Sequence, residues 1–235
     1  MNNDINEELK ATYEIWWRFW GKNVLSHQID GHPITNPYLL SVEQERYDRC
    51  KLKCMILGKE TNVWGSEIPQ AYLGVDMLMA LYHNFVNEDW GDGHCFWTFV
   101  SALREWSRDE LDDSVLWIPN NISKIGRPGI GTDEDVLFKL IEKVNLVKLE
   151  TRILDPDLII ILNGDKSYDK YLRAVYGDFV VESESYCGVS VLSLGDEKRL
   201  ALRCNHPQSL QLNKNWNETL LFLEAMVEIC LSGKQ

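Results

Sequence analysis

Glu60 is the carboxylate in this sequence that is best placed to do acid–base chemistry. A short apolar run, residues 54–57, predicts a strand that is buried on both faces, and Gly58 ends that run. In an open α/β sheet, ligands bind where strands end and loops begin. The residues at and after this strand end are therefore candidate ligand-binding groups: Gly58, Lys59, Glu60, Thr61, Asn62 and Trp64. The alternative interpretation is a strand followed by an ordinary loop.

A second candidate catalytic group, His206, follows the last predicted strand, 199–203. Two more polar segments, 120–124 and 163–166, also follow predicted strands. Because the carboxyl ends of parallel strands share one edge of a sheet, we expect these segments to meet the loop of Glu60 there. Glu60 and His206 would suit water activation and leaving-group stabilisation. The side-chain amides in these segments would suit reading a small planar ligand: Asn120, Asn121, Asn163 and Asn205.

The elements that would position these residues alternate between strands and helices. Apolar runs predict strands at 54–57, 114–118, 157–162, 189–192 and 199–203, with a hairpin turn at Gly195 and Asp196. Helical spacing of apolar residues predicts helices at 6–25, 41–50, 67–87, 95–106, 133–149, 167–175 and 218–231. We therefore predict an α/β fold, a three-layer α/β/α sandwich with a mostly parallel central sheet. It would form one domain, residues 1–235, with the helical segment 1–50 packed on it.

The N-terminal helix carries a stripe of large apolar side chains at helical spacing, formed by Leu9, Tyr13, Trp16, Trp17 and Trp20. Such a stripe is more often a core-facing seam than a base-stacking platform. The next predicted helix begins with Ser41 as its N-cap, and Gln44 would complete a capping box.

Composition favours a globular protein of one generous domain. The chain has 235 residues, 45% of them hydrophobic, and nine tryptophans. It contains no run of about 20 apolar residues that would cross a membrane, and its first residues lack the pattern of a signal peptide. The six scattered cysteines indicate reduced, mostly buried thiols and a cytoplasmic location. Cys50 and Cys54 have a spacing that a metal tolerates, but no second pair matches them, so we expect neither metal nor cofactor.

The net charge of −12 argues against a general nucleic-acid binder, because non-specific DNA affinity comes mostly from Lys and Arg. Basic residues nevertheless fall in or just after the predicted strand-end loops, where they could form a positive rim on an acidic body. These residues are Lys59, Lys124, Arg127, Lys166, Lys170, Arg173 and Lys214. The alternative is that surface lysines simply occur in loops.

Four strand-end motifs occur in a particular order: Gly-Lys-Glu-Thr-Asn at 58–62, Asn-Asn-Ile-Ser at 120–123, Asn-Gly-Asp at 163–165 and Asn-His-Pro-Gln-Ser-Leu at 205–210. In this order they resemble the uracil-DNA glycosylase superfamily. That family has a Gly-Gln-Asp-Pro-Tyr type motif after its first strand and a His-Pro-Ser-Pro-Leu motif after its last. The resemblance runs from about Leu52 to Leu210 and leaves the N-terminal helical segment outside it.

The resemblance implies a role for several residues. Glu60 would activate water, Asn120 would read the flipped base, and His206 would steady the departing base anion. Leu210 would wedge into the duplex, with Lys124 and Ser209 as further DNA contacts, and Phe96 or Trp97 would supply a stacking ring. Several departures from the family pattern bear on these roles. Glu60 replaces an Asp, Thr61 and Asn62 replace a Pro and a ring residue, and Gln208 replaces a phosphate-contacting Ser.

Three functions are therefore open from the sequence. The first is a DNA glycosylase that removes uracil or another damaged base. The second is a protein that binds or hydrolyses a free nucleobase, nucleoside or similar small ligand without DNA, which the acidic charge favours. The third is a non-catalytic interaction module that would use exposed Trp16, Trp17 and Trp20. The sequence does not indicate an oligomeric state.

Overall fold

A mixed six-stranded sheet organises the computed structural model of the chain. The structure describes residues 4–18, 34–61, 64–65, 73–87, 94–127, 134–164 and 166–234. Within these ranges the strands are β1 (Leu52–Gly58), β2 (Val115–Asn121), β3 (Leu158–Ile161), β4 (Phe179–Glu184), β5 (Ser190–Leu194) and β6 (Arg199–Arg203). Their order across the sheet is β2-β1-β3-β6-β5-β4.

Helices alternate with the first three strands and close the chain. In the described residues they are α1 (Ile5–Trp16), α2 (Gln44–Arg49), α3 (Val75–Asn87), α4 (Cys95–Glu110), α5 (Glu134–Lys143), α6 (Leu146–Leu154), α7 (Asp169–Tyr176), α8 (Pro207–Leu212) and α9 (Trp216–Ser232). A 3₁₀ turn, Lys166–Tyr168, leads into α7. No helix in these parts of the chain is both long and apolar enough to cross a membrane.

The sheet combines parallel and antiparallel pairs. β3 pairs in parallel with both β1 and β6, whereas β5 pairs antiparallel with both β6 and β4. The predicted α/β class is therefore confirmed, and so is the hairpin between β5 and β6. The sheet is mixed, and the finer prediction of a three-layer, glycosylase-like sandwich stays a prediction.

The middle of the sheet is where the sequence pattern is strongest. All four residues of β3 are fully buried, and so are residues 54–57 of β1. A parallel strand that is covered on both faces needs such an unbroken apolar run, because neither face meets water.

The two outer strands depart from the predictions. β2 continues through Pro119 to Asn121, although the proline was expected to end it. It lies at one edge of the sheet, where a residue without an N–H is tolerated. β4, at the other edge, was not predicted. It is mostly exposed, and a register irregularity between Val181 and Ser183 interrupts its pairing with β5.

Elements near the N-terminus also differ from the predictions. The structure shows α1 from Ile5 to Trp16, and the rest of the predicted helix reaches residues outside the described ranges. Ser41 and Gln44 do not form a capping box. Instead, the Ser41 hydroxyl donates to Asn6 Oδ1 at 3.2 Å and Gln44 Oε1 accepts from the Ile5 N–H at 3.0 Å, so both hold the start of α1. The predicted helix 133–149 is divided into α5 and α6.

The chain divides into two compact units. The first contains residues 1–44, 59–87 and 120–155, and the second contains residues 45–58, 88–119 and 156–235. The first unit carries α1, α3, α5 and α6, whereas the second carries most of the sheet with α2, α4, α7, α8 and α9.

The turn between β5 and β6 requires a glycine at position 195. Its φ of +62° lies in the left-handed region, and a Cβ there would meet the carbonyl oxygen of Tyr176 at 2.5 Å. Gly164 also has a positive φ, +99°, but an added Cβ would meet nothing within 4 Å.

We expect Gly195→Ala to lower the free energy of unfolding more than Gly164→Ala does. Both variants strain the backbone, which costs about 1–2 kcal/mol, but only the change at position 195 adds a steric clash. Urea denaturation of the two variants measures the difference. Equal losses of unfolding free energy in the two variants would show that the structure relieves the clash at position 195 without losing stability.

Candidate functional site

The first unit contains a buried ion pair between Lys124 and Glu150. Lys124 Nζ lies 2.7 Å from Glu150 Oε2, and both side chains are nearly inaccessible to water. Burial lowers the pKa of Lys124 from its usual range, although the Glu150 carboxylate acts in the opposite direction. Such a pair offsets its desolvation only when the remaining donors and acceptors are also satisfied.

Two further side chains satisfy this pair. The Tyr13 hydroxyl donates to Glu150 Oε1 at 2.7 Å and accepts from the Leu40 N–H at 3.0 Å. Asn120 Nδ2 donates to Glu150 Oε2 at 3.0 Å, and Asn120 Oδ1 accepts from Lys124 Nζ at 2.6 Å. We call Tyr13, Asn120, Lys124 and Glu150 the buried polar network.

This network changes the interpretation of two predicted site residues. Asn120 uses both atoms of its amide inside the protein and is 2% exposed, so the structure does not support its predicted role in reading a ligand. Lys124 is 5% exposed, and a residue that contacts DNA must reach the surface. This burial does not support the predicted DNA contact of Lys124, which stays a prediction. Asn121 is also buried, and its predicted role stays a prediction.

Sequence reasoning missed Tyr13 and Glu150 as members of a polar cluster. A signal was present for Glu150, because it shares a helical face with Leu146 and Leu154 at spacings of four residues. A carboxylate on an apolar face requires a partner. The sequence gives no such signal for Tyr13, which lies 137 residues away along the chain.

The loop after β1 is anchored to the rest of the first unit. The hydroxyl groups of Thr61 and Thr35 are 3.0 Å apart, and Thr35 Oγ1 accepts from the Gly126 N–H at 2.9 Å. Gly126 passes so close that a Cβ on it would lie 1.7 Å from the carbonyl oxygen of Thr61. Thr61 therefore serves to hold the loop, and its predicted contact with a ligand stays a prediction.

Glu60 precedes this anchor. Its side chain is 13% exposed, and Glu60 Oε1 lies 3.7 Å from Nζ of the exposed Lys59. Glu60 remains a candidate base because its carboxylate is partly accessible, and Asn62 lies outside the described residues.

Trp64 belongs to a group of aromatic residues in the same unit. Its ring centroid is 4.6 Å from that of Tyr38 and 5.5 Å from that of Phe85. The Tyr38 ring also meets Tyr82 at 5.2 Å, in an edge-on arrangement. Backbone bonds fix this geometry, because Asn36 N–H donates to the Trp64 carbonyl and Tyr38 N–H donates to the Lys124 carbonyl.

In the second unit, the residues that follow β3 and β6 lie side by side. The parallel register pairs Ile161 with Arg203. Past the strand ends, the Cys204 N–H donates to the Ile161 carbonyl at 3.0 Å, and the Gly164 N–H reaches the Cys204 carbonyl at 3.4 Å. Asn163 and the residues after Cys204 are therefore neighbours at the carboxyl end of the two strands.

Asn163 is the unusual member of this edge. Its side chain is 4% exposed, yet neither Oδ1 nor Nδ2 has a hydrogen-bond partner among the described residues. Leaving a buried donor or acceptor unpaired costs about 1–3 kcal/mol. An amide held in this way offers one acceptor and two donors to an incoming group.

His206 forms the N-cap of α8. Its Nδ1 accepts from the Gln208 N–H at 3.3 Å, so the neutral imidazole carries its proton on Nε2. The ring stacks on Phe96 with a centroid separation of 6.0 Å and an interplanar angle of 29°. Asn205 is half-buried beside Gly188. The structure thus brings Phe96 to His206, and Phe96 in turn packs edge-on against Trp97.

The two residues expected to contact DNA from α8 are placed differently. Ser209 is half-buried, its Oγ accepts from Asn213 Nδ2 at 3.3 Å, and its predicted role stays a prediction. Leu210 is 1% exposed. A leucine that wedges into a duplex must project from the surface, so this burial does not support the prediction for Leu210, which stays a prediction.

Glu60 belongs to the first unit, whereas His206, Asn163, Asn205 and Gly58 belong to the second. The predicted pairing of Glu60 with His206 therefore stays a prediction. Over the described ranges, no group of three or more His, Cys, Asp or Glu side chains is arranged to hold a metal ion. All six cysteines are free thiols, and Cys54, Cys187 and Cys204 are buried.

No model of a known protein family matches this sequence, and no characterised protein matches it. The chemistry of the described side chains therefore carries the functional argument.

The buried polar network gives a prediction about stability. We expect Lys124→Met to destabilise the protein by about 3–5 kcal/mol, because it leaves the Glu150 charge buried without a cation. The double variant Lys124→Met/Glu150→Gln should lose less, because no buried charge remains and the glutamine oxygen still accepts from the Tyr13 hydroxyl. Urea denaturation of the two variants measures this, and a double variant less stable than Lys124→Met would contradict it.

Proposed function

We propose that the protein binds a small planar molecule with a nucleobase-like hydrogen-bonding edge, at the carboxyl ends of β3 and β6. The observation that carries this proposal is the unpaired, buried amide of Asn163. An amide is suited to this task because its oxygen and nitrogen match the alternating donors and acceptors of a base edge.

Two neighbouring residues support the proposal. In its neutral form the His206 imidazole carries its proton on Nε2, so it is able to donate a hydrogen bond without bearing a charge. Phe96 lies against the His206 ring and adds an apolar face of the kind on which planar molecules stack. Strand ends in α/β sheets are also the usual place for such ligands.

A free base or nucleoside fits this protein better than DNA does. The net charge of −12 repels phosphate, and two of the residues expected to contact DNA, Lys124 and Leu210, are buried. A small neutral ligand needs neither of these contacts.

Replacement of Asn163 by leucine tests the proposal. We expect Asn163→Leu to fold with equal or greater stability, because it removes two unpaired polar atoms, and to lose ligand binding. Thermal unfolding in a panel of free bases and nucleosides measures both effects, since a ligand that binds only the folded state raises the Tm.

The matched control is Gln211→Ala, which truncates an exposed side chain on α8. It should bind the stabilising ligand as the wild-type protein does. The proposal fails if no base or nucleoside raises the Tm of the wild-type protein, or if Asn163→Leu retains the full shift.

Hydrolysis of an N-glycosidic bond in DNA is the second candidate function. The observation that favours it is Glu60, a partly accessible carboxylate one residue past the loop start after β1. In this reaction Glu60 would take a proton from the water that attacks the sugar C1′. The bond from C1′ to the base would break, and the base would leave as an anion that takes up a proton from solvent.

Oligonucleotides that carry uracil or hypoxanthine test this second function. If it holds, we expect abasic sites to form, and we expect Glu60→Gln to reduce their rate of formation at least 100-fold, the size usual for loss of a positioned base. Folded wild-type protein that leaves every lesion intact would rule it out. Stabilisation by free bases but not by these oligonucleotides would favour the first function.

A third possibility, an interaction module built on an exposed N-terminal tryptophan stripe, loses its main support. Trp16 is buried at 2% exposure, together with Leu9 and Tyr13, as the core-facing interpretation of the stripe predicted. Trp17 is half-buried, and Trp20 lies outside the described residues.

A further inference from the structure

The aromatic cluster of the first unit consists of Tyr38, Trp64, Tyr82 and Phe85. Tyr38 and Tyr82 are almost fully buried, and Trp64 is 8% exposed. The rings meet edge to face, with centroid separations of 4.6–5.5 Å. These residues are separate from the Asn163 edge, which belongs to the second unit.

Two buried polar atoms in this cluster have no hydrogen-bond partner among the described residues. They are the Tyr38 hydroxyl and Trp64 Nε1. The Tyr13 hydroxyl of the same unit provides the contrast, because it is equally buried but bonds both Glu150 and the Leu40 N–H. Folding therefore gives the Tyr13 hydroxyl two hydrogen bonds and leaves the Tyr38 hydroxyl without a partner among the described residues.

Both idle groups are donors. An indole N–H only donates, and burial, together with the charge of Glu150, raises the pKa of Tyr38 well above its usual value, so its hydroxyl keeps its proton. An acceptor oxygen on a ligand therefore matches both groups, while the Tyr38 hydroxyl oxygen is able to accept as well.

The surroundings also restrict the charge and shape of that ligand. The only charged groups shown to act on the Tyr38 ring or hydroxyl in the described residues are Lys124, 5.7 Å from the ring centroid, and Glu150. They already neutralise each other, so an additional buried anion would have no cation of its own. Ring edges and faces favour a flat, apolar body.

We propose that the aromatic cluster is a binding site for a neutral planar molecule with a carbonyl oxygen, which accepts hydrogen bonds from the Tyr38 hydroxyl and Trp64 Nε1. Amides, imides and lactams have this chemistry. The site is independent of the one assigned to Asn163, and either can exist without the other.

Nuclear magnetic resonance of the ¹⁵N-labelled full-length chain tests the proposal. The indole N–H resonance of Trp64 is identified by its loss in Trp64→Phe, or by sequential assignment if that variant does not fold. Benzamide and uracil are the neutral probes, and benzoate is the charged control of the same shape as benzamide. We expect a neutral probe to move the Trp64 resonance downfield in a saturable way, and benzoate to move it at least tenfold less at equal concentration.

Tyr38→Phe is the decisive variant because it removes only the hydroxyl. We expect it to keep the Tm of the free protein and to bind the neutral probe at least tenfold more weakly. Tyr13→Phe is the matched comparison, and it should lower the Tm because its hydroxyl is bonded. Asn163→Leu should leave the shift of the Trp64 resonance unchanged.

Three results would overturn the proposal. The first is a Trp64 resonance that neither benzamide nor uracil moves. The second is equal binding by Tyr38→Phe and the wild-type protein. The third is a Tyr38→Phe variant that loses as much thermal stability as Tyr13→Phe, because the Tyr38 hydroxyl would then be a structural group.

Discussion

The first unit is organised around one expensive interaction, the buried ion pair of Lys124 and Glu150. Taking both charges out of water is unfavourable unless every neighbouring donor and acceptor is matched. Tyr13 and Asn120 supply that match, and they connect α1, the end of β2 and α6 at a single point. The Tyr38 N–H donates to the Lys124 carbonyl, so the segment with Tyr38 is bonded to the same part of the chain. The loop with Glu60 is held beside it by the contacts among Thr35, Thr61 and Gly126. The role of the ion pair is therefore structural, because it constrains how these elements pack.

The buried polar residues that the structure describes are of two kinds, those with hydrogen-bond partners and those without. Asn120 has its amide fully engaged in the network, whereas the Asn163 amide, the Tyr38 hydroxyl and the Trp64 N–H are buried but idle. Because the fold provides partners for both amide atoms of Asn120, a similar arrangement could have provided partners for the other three groups. Local rules of folding are most often broken at functional sites, and in the described residues these groups lack a partner, as do Arg46 Nε and Thr219 Oγ1.

Local sequence pattern was sufficient for much of the fold. Apolar runs and turn residues predict β3, β6 and the β5–β6 hairpin, since a strand that is buried on both faces is composed almost entirely of apolar residues. β4 was missed because its side chains are mostly exposed and show no alternation. The polar network was missed because Tyr13 and Glu150 are distant in sequence, and periodicity says nothing about which distant residues meet. The same limit made the Asn120 amide a candidate for reading a ligand, although it is bonded inside the network.

The sheet ends on β2 at one side and on β4 at the other, and an exposed edge strand invites other chains to add to it. β2 is buried along its whole length, and Pro119 leaves it one N–H short. On the opposite side, β4 exposes Val180 but also carries Glu182 and Glu184, and its irregular register twists the strand. These features oppose growth of the sheet from one molecule into the next.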